Sequence, residues 1–247
     1  PALLEYGLFV MAETLRYPEM IDDGIAACES LRTGNAAFAR HEILGARLRM
    51  LHSWLSLRAG DTSTAEKALR ELGFIREFRL IGPFSVEGAE DFDAERLGAE
   101  SHGVPSMHAG KLYPVRWFSA RTDRLGILDP GERNLDTADV RYYLEAEFTV
   151  ERAGARVFHI GKTGHARIWM DGKPLFKSET RHRFAHDQYR VTVRCGPGRH
   201  RLLIQLEDSL HDGVRFSLRH TAAAAGDDAG SARWFDALGV MRSRASA

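Results

Sequence analysis

Tyr189-Arg190-Val191-Thr192-Val193-Arg194-Cys195-Gly196-Pro197-Gly198-Arg199-His200-Arg201-Leu202-Leu203-Ile204-Gln205-Leu206-Glu207 is the stretch whose reading decides the fold. In its first half Tyr189, Val191, Val193 and Cys195 alternate with Arg190, Thr192 and Arg194. In its second half Leu202, Ile204 and Leu206 alternate with Leu203, Gln205 and Glu207. A period of two places each set on one face of a pleated strand. Gly196-Pro197-Gly198 supplies a reversal, because glycine tolerates positive φ and proline presets its own. The spacing predicts a hairpin over 189–206. Upstream, Ile168-Trp169-Met170-Asp171-Gly172-Lys173 holds an Asp-Gly pair, the signature of a two-residue turn. Pro174 follows where a strand start or an edge accepts it.

Working outward, Val140, Tyr142, Leu144, Ala146, Phe148 and Val150 alternate with Arg141, Tyr143, Glu145, Glu147, Thr149 and Glu151. That is an antiparallel strand with one buried face. Phe78 and Leu80 lead to a break at Gly82-Pro83, and Val115 and Trp117 resume the sheet. Val157–Ile160 and Val214, Phe216, Leu218 and His220 add further strands. About eight strands run from Phe74 to Thr221 with nothing helical between them, which predicts an all-β sandwich. The acidic 85–100 segment and residues 126–139 read as long loops.

Residues 1–73 carry a helical period. Leu3, Leu4, Leu8 and Met11 form one run, and Ile21, Ile25, Cys28 and Leu31 another, with Pro18 between them. A longer run carries Ile43, Leu44, Leu48, Leu51 and Leu55 and ends at Gly60-Asp61. Asp61 or Thr62 caps the next helix, whose inner face is Ala65, Ala68, Leu69 and Leu72. Helix, Gly-Asp turn and shorter Ala-lined helix read as tetratricopeptide-like hairpins. A plain helical bundle fits nearly as well. The expected class is α+β with segregated parts: helices over 1–73, a β-sandwich over 74–221, and a linker with a short C-terminal helix (Trp234, Phe235, Leu238, Met241) over 222–247.

Composition narrows the function. The 247 residues hold 34 Lys and Arg and 34 Asp and Glu. There is no basic excess of the kind a nucleic-acid binder carries, and no apolar run long enough for a membrane span. The chain starts inside a helical pattern and is expected to be a piece of a longer protein. Cys28 and Cys195 fall in different expected domains, which argues against a disulfide framework.

The order Leu72-Gly73-Phe74-Ile75, Leu80-Ile81-Gly82-Pro83-Phe84 and an acidic loop with Gly88 and Phe92-Asp93 resembles a bacterial architecture. In it, tetratricopeptide repeats precede a galactose-binding-like jelly-roll module in long envelope proteins, some with a transglutaminase-like domain. Val157-Phe158-His159-Ile160-Gly161 through Ala166–Gly172 resembles that family's Trp-containing hairpin. Asp187, Val191, Val193 and Gly196–Ile204 resemble its closing segment. The likeness covers roughly residues 60–220. Asp171 and His200 stand where the family usually has Asn. The resemblance implies a cell-envelope setting, neighbouring domains of a parent chain, and sandwiches that serve as sugar-binding modules or as spacers.

Candidate site residues follow from charge and aromatics. Between Glu151 and His220 there are 14 Lys and Arg against 7 Asp and Glu. The sharper reading of that excess is a positive groove for an anionic glycan or acidic partner, using Arg190, Arg194, Arg215 and Arg219 on outward strand faces. Simple solvation is the plainer one. Tyr143 sits on the polar face of its strand and is the expected exposed aromatic, while Trp117 and Trp169 are expected between the sheets. His182, His186 and Asp187 are acceptable zinc ligands by type, but four-residue spacing aligns two side chains only on a helix. Asp187 is instead expected to tie its own loop through backbone N–H groups. No metal or other cofactor is expected. There is no Gly-x-Ser-x-Gly elbow, Cys195 reads as core, and Glu145 and Glu147 read as a solvated row. The expected function is a non-catalytic module: the sandwich for a glycan, the helices for a protein partner. A structural spacer is the alternative, and a metal-dependent hydrolase a more distant one.

Overall fold

A computed structural model describes residues 17–34, 41–86, 107–131, 139–208 and 213–223. The chain divides into two compact units, Pro1–Phe74 with Asp123–Gly126, and Ile75–Thr122 with Ile127–Ala247. The expected helices around Leu3–Met11 and Trp234–Met241, and the acidic segment from Glu87 to Glu100, lie outside the described residues.

In the first unit a 3-10 turn (Pro18–Met20) leads into α1 (Ile21–Gly34), followed by α2 (Glu42–Arg58) and α3 (Thr62–Glu71). Cys28, Leu44, Leu48, Leu51 and Leu55 pack between α1 and α2, as the helical period requires. Ala46 of α2, Leu69 and Leu72 form a second cluster with Phe74. The link from α2 to α3 turns at Gly60, whose φ is +87°. Asp61 then accepts the Thr64 N–H at 3.0 Å and caps α3. Among the described residues no helix is long and apolar enough to cross a membrane.

Among the described residues the second unit holds eleven strands: β1 (Glu77–Ser85), β2 (His108–Ala109), β3 (Pro114–Val115), β4 (Phe118–Arg121), β5 (Val140–Val150), β6 (Gly154–Lys162), β7 (His165–Met170), β8 (Lys173–Ser178), β9 (Tyr189–Cys195), β10 (Gly198–Asp208) and β11 (Phe216–Ala222). Six form one sheet in the order β4-β1-β5-β10-β7-β8. Three form a second, β11-β6-β9, and β2 pairs with β3. Every pairing is antiparallel.

The inward faces of the two larger sheets meet in one core. Tyr142, Leu144, Leu202, Ile204 and Leu206 come from one side, and Phe158, Ile160, Phe216 and Leu218 from the other. Edge-to-face ring pairs cross it: Phe148–Phe158 at 5.4 Å and Phe78–Phe216 at 6.4 Å. The β5 alternation read from the sequence therefore sets the inside face of the sandwich.

The stretch 189–206 differs from expectation. β9 pairs with β6 and β10 pairs with β5 and β7, so the two do not form a hairpin. Gly196-Pro197 instead carries the chain from the small sheet to the large one. A period of two fixes which side chains face the core, and both arrangements satisfy it.

The Asp-Gly turn does join β7 to β8 as expected, with φ of +50° at Asp171 and +76° at Gly172. Asp171 also reaches across to β10. Its carboxylate accepts the Arg201 N–H at 2.9 Å, and its second oxygen meets His200 Nδ1 at 2.7 Å. His200 Nε2 lies 2.9 Å from the Gly196 carbonyl, and the ring stacks on Phe148 at 5.3 Å. The Asp171 contact, then the Gly196 carbonyl, raise the His200 pKa above 6.5. Partial burial would raise Asp171, but the Arg201 amide and His200 outweigh it and hold the carboxyl below 3.8. Each shift ties the stability of the fold to pH. The His200 contribution is complete below pH 6.5 and is lost as pH rises through its raised value. The Asp171 contribution is complete above pH 3.8 and is lost as pH falls through its lowered value. On raising the pH from about 6 to about 8, urea midpoints of the intact chain should fall more than those of a His200→Gln variant.

Candidate functional site

Alternation gives the six-stranded sheet a second, outward face, built in rows across the strands. One row runs Arg79, Glu145, Leu203, Trp169 over β1, β5, β10 and β7. The next runs Ile81, Tyr143, Gln205, Arg167, and a third includes Arg141, Glu207 and His165. Over β1 and β5 this face is covered. Val115, Trp117 and Phe84 close on Ile81, Tyr143 and Leu203, and the Arg79 guanidinium lies 5.8 Å from the Trp117 ring. Beyond β10 the apolar cover thins. Trp169 packs only partly against this cluster and is half-buried.

In the sheet Trp169 lies between Leu203 of β10 and Pro174 of β8, and polar side chains follow further along the same face. Glu145, 2% exposed, is paired with Arg201 Nε. Glu207 takes Arg141 Nε at 2.7 Å and Gln205 Nε2 at 2.5 Å, and lies 3.8 Å from His165. Arg167, two residues from Trp169 on the same face, makes no hydrogen bond or ion pair to any described residue. At the β7–β8 edge a notch of about 30 Å³ is lined by His165, Arg167, Ser178, Glu179, Gln205 and Glu207. It has room for a water or a hydroxyl. The arrangement offers an indole face beside planar donors and acceptors, the groups that orient a polyhydroxylated ligand.

The aromatic expectations are reversed here. Tyr143 does point outward, but it is 1% exposed because Trp117, Val115 and Phe84 cover that end of the sheet, and burial raises its pKa. Trp117 and Trp169 lie on this outer face, not between the sheets. Glu145 is likewise buried rather than solvated. Parity along a strand says which face a residue takes, and nothing about what covers that face.

Arg190, Arg194, Arg215 and Arg219 fall on the outward face of the three-stranded sheet. Arg194 and Arg215 are exposed and Arg190 is half-buried. Arg219 is 1% exposed and forked onto Asp187, with Nε–Oδ1 at 2.9 Å and a terminal amino group to Oδ2 at 2.7 Å. It belongs to a buried ion pair and is not open to an anionic ligand. Asp187 thus takes a guanidinium rather than the backbone groups of its own loop.

The pair fastens a strap, residues 179–188, that carries the chain from β8 to β9. Gly161 sits under it, and a Cβ there would strike the Ala185 carbonyl and the Ser217 hydroxyl. Gln188 accepts the Lys162 N–H at 2.7 Å, and His186 Nδ1 meets Ser217 Oγ at 3.0 Å. His182 faces the Tyr189 ring at 6.5 Å, with its pKa lowered by partial burial and then by Lys162. His182, His186 and Asp187 are therefore directed to three different partners. Among the described residues no cluster of three His, Cys, Asp or Glu could hold a metal. Cys195 is buried, and burial raises its thiol pKa.

Lys162 is fully buried under the strap. Its Nζ donates to the carbonyls of Gly164 and Thr180, both at 2.5 Å, and lies 5.3 Å from the Tyr189 ring. Burial pulls its pKa down to about 8.

No protein-family model matches the chain, and no curated protein does. Several solved structures do. A β-glucosidase from Kluyveromyces marxianus is 9% identical over 62% of this chain and 18% of its own, with a TM-score of 0.41. A PA14 sugar-binding domain from an RTX adhesin is 12% identical over 60% of this chain and 89% of its own, at 0.33. A family 35 carbohydrate-binding module from Clostridium thermocellum is 11% identical over 40% and 89%, at 0.27. The chain spans 10% of the length of a GH31 α-xylosidase from Xanthomonas citri that it also matches.

Breaking the buried pair should be costly, because it strands one charge away from water. Asp187→Ala should lower the unfolding free energy by about 3–5 kcal/mol, while Asp187→Leu combined with Arg219→Met should recover most of that loss in the same denaturant titration. Lys162 carries a pH signature of the opposite kind. Between about pH 8 and the ordinary 10.5 the folded chain holds fewer protons than the unfolded one. Its stability relative to a Lys162→Met variant should therefore rise with pH across that range.

Proposed function

We propose that this chain is a non-catalytic glycan-binding module of a larger protein. The saccharide ring lies on the half-buried Trp169, and its hydroxyls are held by Arg167 and the Gln205–Glu207 notch. One observation carries this reading. Trp169 stands where the apolar cover of the outer face ends, and further along the same face Gln205 and Glu207 are planar, polar and already oriented by their own hydrogen bonds. Such fixed groups lose little entropy when they engage a ligand. The tetratricopeptide-like character of the helices and the adaptor role belong to the same proposal, with the helical unit serving a protein partner.

The test is binding of the purified chain to a broad glycan panel at low and moderate salt, with and without chelator. Binding that survives moderate salt is expected, together with a loss of about tenfold or more on Trp169→Ala and a smaller loss on Arg167→Ala. Tyr143→Phe should leave affinity unchanged. A chain that binds no glycan at moderate salt, or a Trp169→Ala variant that binds as well as the parent, overturns the proposal and leaves the spacer role.

A further inference from the structure

The helical unit carries a hollow of its own. From Gly45 to His52 on α2, and from Thr64 to Glu71 on α3, positions at i, i+3, i+4 and i+7 line an open groove of about 500 Å³. Its floor is small and apolar, formed by Gly45, Leu48 and Ala68, all buried. Its rim is cationic: Arg32 from the last turn of α1, Arg49 from α2 and Lys67 from α3.

Arg32 and Arg49 are exposed and make no hydrogen bond or ion pair to any described residue. Lys67 lies 3.9 Å from Glu71, with the two side chains 72% and 52% exposed, a pairing that water screens almost completely. The rim therefore holds two guanidinium groups without a partner among the described residues, beside the exposed Lys67–Glu71 pair, around an apolar floor. Seven residues of helix advance about 10 Å, the length of about three residues of extended peptide. Small floor residues let a backbone lie close to the helices, and guanidinium forks match carboxylates in geometry as well as charge.

We infer that this groove binds a short acidic peptide segment of a partner protein. About three extended residues cross Gly45 and Ala68, and their carboxylates rest on Arg32 and Arg49. The inference rests on the reading of the helical unit as the part that serves a protein partner, and no residue of the glycan face takes part in it.

The experiment titrates fluorescein-labelled hexaglutamate into the full chain at about 50 and about 150 mM salt, with hexaglutamine as the neutral control. Hexaglutamate should bind saturably and at least tenfold more tightly than hexaglutamine at both salts. Arg32→Glu with Arg49→Glu should weaken it at least tenfold with an unchanged melting temperature, since both positions are exposed. Arg194→Glu with Arg215→Glu, a reversal of equal size on the sandwich, should leave it unchanged. Equal binding of the two peptides at the higher salt overturns the inference. So does loss on the sandwich reversal without loss on the helical one.

Discussion

Two opposite charges held away from water, Arg219 and Asp187, set the terms for one side of the sandwich. Each is almost wholly buried, and neither is tolerable there without the other. Their fork draws Asp187 into a left-handed turn with φ of +55°, and that turn brings the whole 179–188 strap down onto the small sheet. Gly161 leaves room for it, and Lys162 then finds carbonyl oxygens where water would otherwise be needed. A buried network of this kind is strong only when every member is satisfied. The strap therefore sits in one position, and it spans the passage between the two sheets.

The larger sheet solves a different problem. Its inner face is apolar throughout, but its outer face is shared between two regimes. Trp117, Val115 and Phe84 convert the β1–β5 half into a second small core. The rest of the face keeps its charges, with ion pairs reaching between β5 and β10. Trp169 stands at the boundary, half-buried and packed against that second core. The rigidity of this face comes from the sheet beneath it, where the core residues of β5, β10 and β7 interlock with the opposite sheet.

Much of this was legible in the residues. The β5 alternation, the Asp171-Gly172 turn and the Asp61 cap depend on local geometry, and local geometry is written locally. The connection from Cys195 to Arg199 was not, because a hairpin and a sheet-to-sheet corner share the same period and the same glycines. Tyr143 and Trp169 exchanged expected exposures for a related reason. Both alternate outward, and the difference lies in a covering segment around Val115 and Trp117 that is remote in sequence. Arg219 read as a surface cation because its partner, Asp187, sits 32 residues away in a loop. The succession of α2 and α3 was visible as spacing, while the groove they line and the charges on its rim emerged only once their neighbours were placed.

The outermost strand of the six-stranded sheet, β8, carries Pro174 in its second position and exposed Lys173 and Lys177. Proline withholds a backbone donor there, and two ammonium groups line the rim. At the opposite margin β4 is only four residues long. A second molecule seeking to extend this sheet meets a gap in the ladder on one flank and too little strand on the other. The six-stranded sheet is therefore ill suited to template a copy of itself at high local density, however closely two molecules approach along it.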